Sequence, residues 1–114
     1  MMINLTDYHL HLVLCPVDMR RGFRSLSALA GIALGVDVYD GHDCVIFVSK
    51  SRGVCKVIWC DDTGAMLLSR KLTHGRFARM LARAEDGSAL CISADELKVF
   101  FSGQPIQWVP KSII

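Results

Sequence analysis

A chain of 114 residues and 12.6 kDa can fold around one hydrophobic core without metal or disulfide staples, and one domain over residues 1–114 is the default reading. Hydrophobic residues at 52% against 21% charged exclude a disordered tail protein, and a mean hydropathy of +0.35 leaves more apolar side chain than so small a domain can hide. Part of it is therefore expected in an interface, with a second copy or with another protein. The longest apolar run, around residues 28–36, is broken by glycines and too short to cross a bilayer. Residues 1–7 lack the basic and apolar regions of a secretory signal, so no membrane partner and a cytoplasmic location are expected.

The formal charge of +2 is unevenly spread. Residues 44–83 hold eight basic side chains against Asp61 and Asp62, a net of +6, and the remainder of the chain carries −4. Such a segment can face a polyanion. The five cysteines, Cys15, Cys44, Cys55, Cys60 and Cys91, are odd in number and contain no C-x-x-C pair. Reduced, buried thiols without a metal or other cofactor are the simplest expectation.

In chain order, residues 8–14 alternate, with Leu10, Leu12 and Leu14 on one face and His9, His11 and Val13 on the other, which predicts a strand. Pro16 ends it, and Asp18 is placed to cap a helix with apolar positions Met19, Phe23, Leu26, Ala30 and Ala33, stopped at Gly35. Residues 36–43 read as a turn. Residues 44–48, 54–60 and 65–72 are three apolar runs joined by short polar turns, an antiparallel meander. Residues 76–84 read as irregular and 89–92 as a short strand. Ser93, with Glu96 three residues on, forms a capping box that opens a helix over 94–102, ended by Gly103 and Pro105. The last residues, to Ile114, read as a tail or an interface strand. The fold class expected is α+β, a meander of four to five strands with two helices.

Few residues invite a chemical role. Asp61-Asp62 is the one pair of consecutive carboxylates in the segment, but Asp61-Asp62-Thr63-Gly64 fits a hairpin turn better than a cation site, which needs ligands from several elements. His9 and His11 share a strand face without a third ligand nearby. His74 has no nucleophile motif around it. No catalytic residue and no metal site are therefore assigned. Trp59, between Ile58 and Cys60, is expected in the core, and Phe77 to stack or pack.

Four sets of residues carry a family resemblance. Asp18-Met19-Arg20-Arg21-Gly22 follows a D-M-R-[KR]-G pattern. Gly41 and Phe47, then Arg52 and Lys56, follow a glycine-to-phenylalanine stretch that leads into a basic turn and a lysine-bearing strand. Arg70-Lys71-Leu72-Thr73-His74-Gly75-Arg76-Phe77 approximates K-R-L-x-x-G-x-F, and Ile92 to Leu97 with Gly103 completes the order. Where the pattern has W-D-x-x-G-[FY], this chain has Cys60-Asp61-Asp62-Thr63-Gly64-Ala65. Over residues 10–103 the chain resembles the TnpB accessory proteins, products of the second open reading frame of insertion sequences of family sixty-six, with residues 104–114 as a tail.

The resemblance implies a non-catalytic helper of DNA transposition, encoded beside a separate transposase, and brings no catalytic residues with it. Joined to the charge distribution, it leads to the expectation that Arg20, Arg21, Arg52, Lys56, Arg70, Lys71 and Arg76 contact DNA phosphates on a basic β-rich face. The alternative is a protein-interaction module, bridging transposase subunits through apolar surface without touching DNA. A metal-dependent nuclease using Asp61, Asp62 and a histidine is the third reading, and it lacks ligands.

Overall fold

The computed structural model of the chain describes residues 4–78 and 89–106. Five strands, β1 (His9–Val13), β2 (Asp43–Val48), β3 (Val54–Cys60), β4 (Ala65–Lys71) and β5 (Ala89–Ile92), form one sheet in the spatial order β4-β3-β2-β1-β5. Two helices, α1 (Phe23–Leu34) and α2 (Ala94–Phe101), and a 3-10 turn at Val38–Asp40 complete the α+β architecture of the described residues. β2, β3 and β4 make the expected antiparallel meander. β1 lies parallel to β2, with Leu10 beside Cys44 and Leu12 beside Ile46, and antiparallel to β5.

The parallel pair follows from burial. Cys44, Val45, Ile46 and Phe47 are each 0% exposed, so β2 needs cover on both faces of the sheet. The chain supplies one layer by crossing as α1 between β1 and β2, and a crossover returns it parallel to the strand it left. On the α1 side, Leu26 and Ala30 pack with Val13, Val45, Phe47, Ile58 and Cys60. On the other side, Leu97 and Phe100 of α2 pack with Leu10, Leu12, Ile46, Val57 and Trp59. Phe77 joins this second layer and stacks on Phe100, ring centroids 5.1 Å apart and planes at 18°.

α1 begins later than expected. The Asp18 carboxylate accepts a hydrogen bond from the Arg20 amide at 2.9 Å, and the Arg21 amide donates to the Asp18 carbonyl at 3.2 Å. This local turn competes with the helix, as short acidic side chains do, and the helix starts only at Phe23, after Gly22. Met19 still packs against the α1-side core. Ala33, expected on the core stripe, is exposed, because the stripe runs through Leu26, Ala30 and Leu34. Gly35 ends the helix as expected, with φ of 67° and the Val36 amide reaching back to the Ala30 carbonyl, the left-handed closure that glycine adopts at low cost. α2 carries the expected capping box, with the Glu96 amide donating to Ser93 Oγ at 3.1 Å and the Ser93 amide to Glu96 Oε1 at 2.9 Å.

The expectation of buried thiols holds for Cys44, Cys55 and Cys60, whereas Cys15 and Cys91 are exposed. Cys15 lies beyond the end of β1, and Cys91 is on the α1 side of edge strand β5. Residues 79–88, with Arg79 and Arg83, and the tail from 107 to 114 lie outside the described residues.

Burial pushes the Cys44 and Cys55 thiols up to about 12. Both should therefore stay unmodified by a thiol reagent near pH 8 in the folded protein and react after denaturation, while exposed Cys15 reacts at once, read by mass spectrometry of the labelled chain. Ser93→Ala should cost about 1 kcal/mol in urea unfolding, the usual worth of an N-cap. Phe100→Ala, which removes a fully buried ring from the Phe77 stack, should cost about 3–5 kcal/mol.

Candidate nucleic-acid interface

The sheet register places the charges. β1 and β2 run parallel, so Val13 and Val48 finish at the same end of the sheet, and β3 starts and β4 finishes there, with Val54 opposite Lys71. The turn over residues 49–53, the segment 72–77 and the approach to α1 all lie at that end. The Val17 amide donates to the Val48 carbonyl at 3.0 Å, Lys56 Nζ to the Arg21 carbonyl at 2.9 Å, and the Phe77 amide to the Arg52 carbonyl at 2.7 Å. Arg20, Arg21, Arg52, Lys56, Arg70, Lys71 and Arg76 are thereby collected at one end of the fold. Lys50 and Arg24, absent from the expected set, join them, one in the 49–53 turn and the other in the first turn of α1.

The opposite end is acidic. Asp61 and Asp62 occupy the β3–β4 turn, Asp43 opens β2, Asp37 and Asp40 flank or close the 3-10 turn, and Asp7 precedes β1. Asp95 of α2 lines a groove with Arg70, Lys71 and Lys98, and Asp18 lies at the basic end and is held by Arg20. The guanidinium bonds both carboxylate oxygens, the shortest contact being 2.7 Å, and lowers the Asp18 carboxyl to about 2.

The basic side chains do not share one face, which corrects the expectation of a basic β-rich face. Residues paired across antiparallel strands lie on the same side. Lys56 pairs with Ser69, and Val54 with Lys71, on the α1 side; Arg70 pairs with Cys55 on the α2 side. Alternation along β4 puts Arg70 and Lys71 on opposite faces. Their common feature is position along the strand axis.

Several of these cations have intramolecular partners. Arg70 Nε donates to the Phe101 carbonyl at 2.9 Å, with its guanidinium 5.8 Å from the Phe101 ring. Arg21 Nη1 donates to Ser25 Oγ at 2.6 Å. Lys50, Lys71 and Arg76 are exposed without a side-chain partner among the described residues. Arg52 holds the left-handed conformation, φ 62°, in the turn closed by its amide on the Ser49 carbonyl, at a cost of roughly 1–2 kcal/mol for a side-chain-bearing residue. The N-terminus of α1 at Gly22 has no side-chain cap and no acidic residue in its first turn, so its unbonded amides add positive potential at the same end.

The other candidate residues take structural places. Asp61 Oδ1 accepts from the Thr63 and Gly64 amides, each at 2.9 Å, and these bonds lower its carboxyl; the pair is a hairpin turn, as expected. His9 and His11 share the α1 side of β1, and His11 Nε2 lies 2.8 Å from Asp43 Oδ1. Among the described residues no group of three or more His, Cys, Asp or Glu side chains could hold a metal ion. Trp59 is core at 5% exposure and Phe77 at 1%, so neither offers a ring for base stacking. No helix among the described residues is long and apolar enough to cross a membrane.

Comparison with known proteins agrees with the resemblance read from the motifs. The chain is 36% identical over 91 residues to the uncharacterized protein y4hO of Sinorhizobium fredii, covering 80% of this chain and 74% of the relative. It is also 36% identical over 88 residues to the uncharacterized protein y4jC of the same organism, covering 77% and 72%. No solved structure gives a significant match. Residues 8–111 match the family model described as IS66 Orf2 like protein, and the chain belongs to that family, whose members are accessory proteins of transposition.

Proposed function

We propose that this transposition accessory protein binds DNA through the basic end of its sheet, contacting backbone phosphates rather than reading base edges. The observation that carries the reading is the segregation of charge along the strand axis. Cations from the 18–24 approach, the 49–53 turn, β3 and the β4 exit meet at one end, while the acids of the β3–β4 turn, the start of β2, the 3-10 turn and the approach to β1 lie at the other. A cluster of that kind releases counterions on meeting a duplex and supplies affinity without sequence specificity.

Two further observations support it. The segments that carry the family motifs at residues 18–22, 52–56 and 70–77 are far apart in sequence and converge at this end. The exposed ion pair between Arg20 and Asp18, with side chains 92% and 45% exposed, is of a kind that holds weakly in water, so Arg20 can exchange its partner for a phosphate. In this reading Lys56 and Arg21 serve together, since the ammonium bonded to the Arg21 carbonyl fixes the approach to α1 against β3.

The protein-bridging alternative has its own observation. α1 carries no charged residue after Arg24, and its outer side exposes Ile32 at 85%, with Tyr39 close by in sequence at 61%. A solvent-facing apolar helix surface is unusual and suits contact with the element's transposase. Under this reading, Ile32→Lys abolishes co-purification of the transposase in nuclease-treated extract and leaves DNA binding intact. Retention of the complex would remove the α1 face as the bridge.

Gel-shift or anisotropy titration with duplex DNA from the element's ends tests the main reading. Lys71→Ala with Arg76→Ala should weaken binding and reduce the slope of log K against log salt by about 0.9 for each phosphate that is no longer neutralised. Arg52→Gly separates charge from folding: it removes a cation while relieving the left-handed strain, so thermal stability should hold or rise as affinity falls. Absence of binding at low salt, or unchanged slopes in all three substitutions, would overturn the reading.

A further inference from the structure

We infer that the free edge of β4 pairs with the β4 edge of a second copy of this chain, antiparallel about a two-fold axis at Leu68, and continues the sheet across a dimer. Among the described residues β4 is one of the two edge strands and has seven residues, against four in β5 at the other edge. An edge of that length is a template for a further strand unless something blunts it.

The direction of its main-chain groups follows from the hydrogen bonds at the two ends of the β3–β4 hairpin. The Asp61 amide bonds the Gly64 carbonyl at 2.9 Å, and the Leu72 amide bonds the Gly53 carbonyl at 3.3 Å. Alternation between these closed pairs points the main chain of Met66, Leu68 and Arg70 inward to β3. Ala65, Leu67, Ser69 and Lys71 point outward, and their amides and carbonyls have no main-chain partner among the described residues.

An antiparallel pairing centred on Leu68 uses all four. Ala65 meets Lys71 of the second copy and Leu67 meets Ser69, each as a hydrogen-bonded pair, while Leu68 meets its own counterpart as a non-bonded pair. On the α1 side the register gathers the two copies of Leu67, an exposed large apolar residue at 38%. On the α2 side it joins the half-buried Met66 and Leu68 of both copies, which extend the α2-side core.

Charge selects the second copy as the occupant. Each chain is basic at the end where β4 finishes, with Arg70, Lys71 and Arg76, and acidic where it begins, with Asp61 and Asp62. Antiparallel two-fold pairing sets the basic end of each chain beside the acidic turn of the other, whereas parallel pairing would oppose like charges. A two-fold dimer makes that complementarity twice over. The inference does not rest on DNA binding, and the two basic ends of such a dimer point in opposite directions.

Sedimentation equilibrium of the full chain across micromolar concentrations tests it, with circular dichroism as the check on folding. The wild-type chain should dimerise. Leu67→Lys, at an already exposed position, should raise the dimer dissociation constant at least about tenfold by bringing two ammonium groups together. Ile32→Lys on α1 should leave it unchanged. In a Cys15→Ser, Cys91→Ser background, Leu68→Cys should cross-link to a covalent dimer under mild oxidation and Ser69→Cys should not, since only residue 68 faces itself. A monomer up to hundreds of micromolar would overturn the inference. So would a dimer broken by Ile32→Lys but not by Leu67→Lys, or cross-linking at 69 in preference to 68.

Discussion

Burial of β2 on both faces is the constraint on which the rest of the structure depends. A strand with no exposure from Cys44 to Phe47 requires an apolar layer above and below it, and a chain this short has two helices among its described residues to provide them. Using α1 as the first layer sends the chain over the sheet between β1 and β2 and makes those strands parallel. That choice brings the approach to α1, with Arg20 and Arg21, to the same end as the 49–53 turn and the β4 exit. The charge segregation is a consequence of how the core is covered.

The same end is tied together by main-chain contacts. The Arg52 carbonyl receives the Phe77 amide, and Phe77 in turn stacks on Phe100 of α2. The strained turn that displays Arg52 is therefore anchored to the core on the α2 side, while Lys56 bonded to the Arg21 carbonyl anchors the approach to α1 on the other. Basic side chains projected from such fixed points lose less entropy on meeting a ligand than they would from a free loop.

Much of the fold was legible in the sequence. The alternation of β1, the apolar runs of β2 to β4, the turn at Asp61-Asp62 and the Ser93 to Glu96 capping box carry local signals, and each appears where its pattern predicts. What was not legible depends on long-range choices. Nothing in residues 8–14 distinguishes a parallel from an antiparallel neighbour, and the Met19 to Phe23 spacing hides the Asp18 turn that delays α1, because both arrangements turn Met19 to the core. The cations were legible as a count. Their assignment to one face failed because strand alternation divides Arg70 from Lys71, and their gathering at one end became visible only with the register. Lys50 and Arg24 were missed for the same reason, each lying in an unremarkable local context.

The central claim is that the basic end of the sheet is the DNA-contacting surface. Backbone amide chemical-shift mapping during titration of the labelled protein with a short duplex from the element's ends tests it most directly. The account predicts that the shifts cluster at residues 18–24, 49–53 and 70–77, fade as salt is raised, and leave residues 37–43 and 61–64 unmoved. Shifts concentrated at the Asp61 turn or on the outer side of α1, or none at low salt, would contradict it.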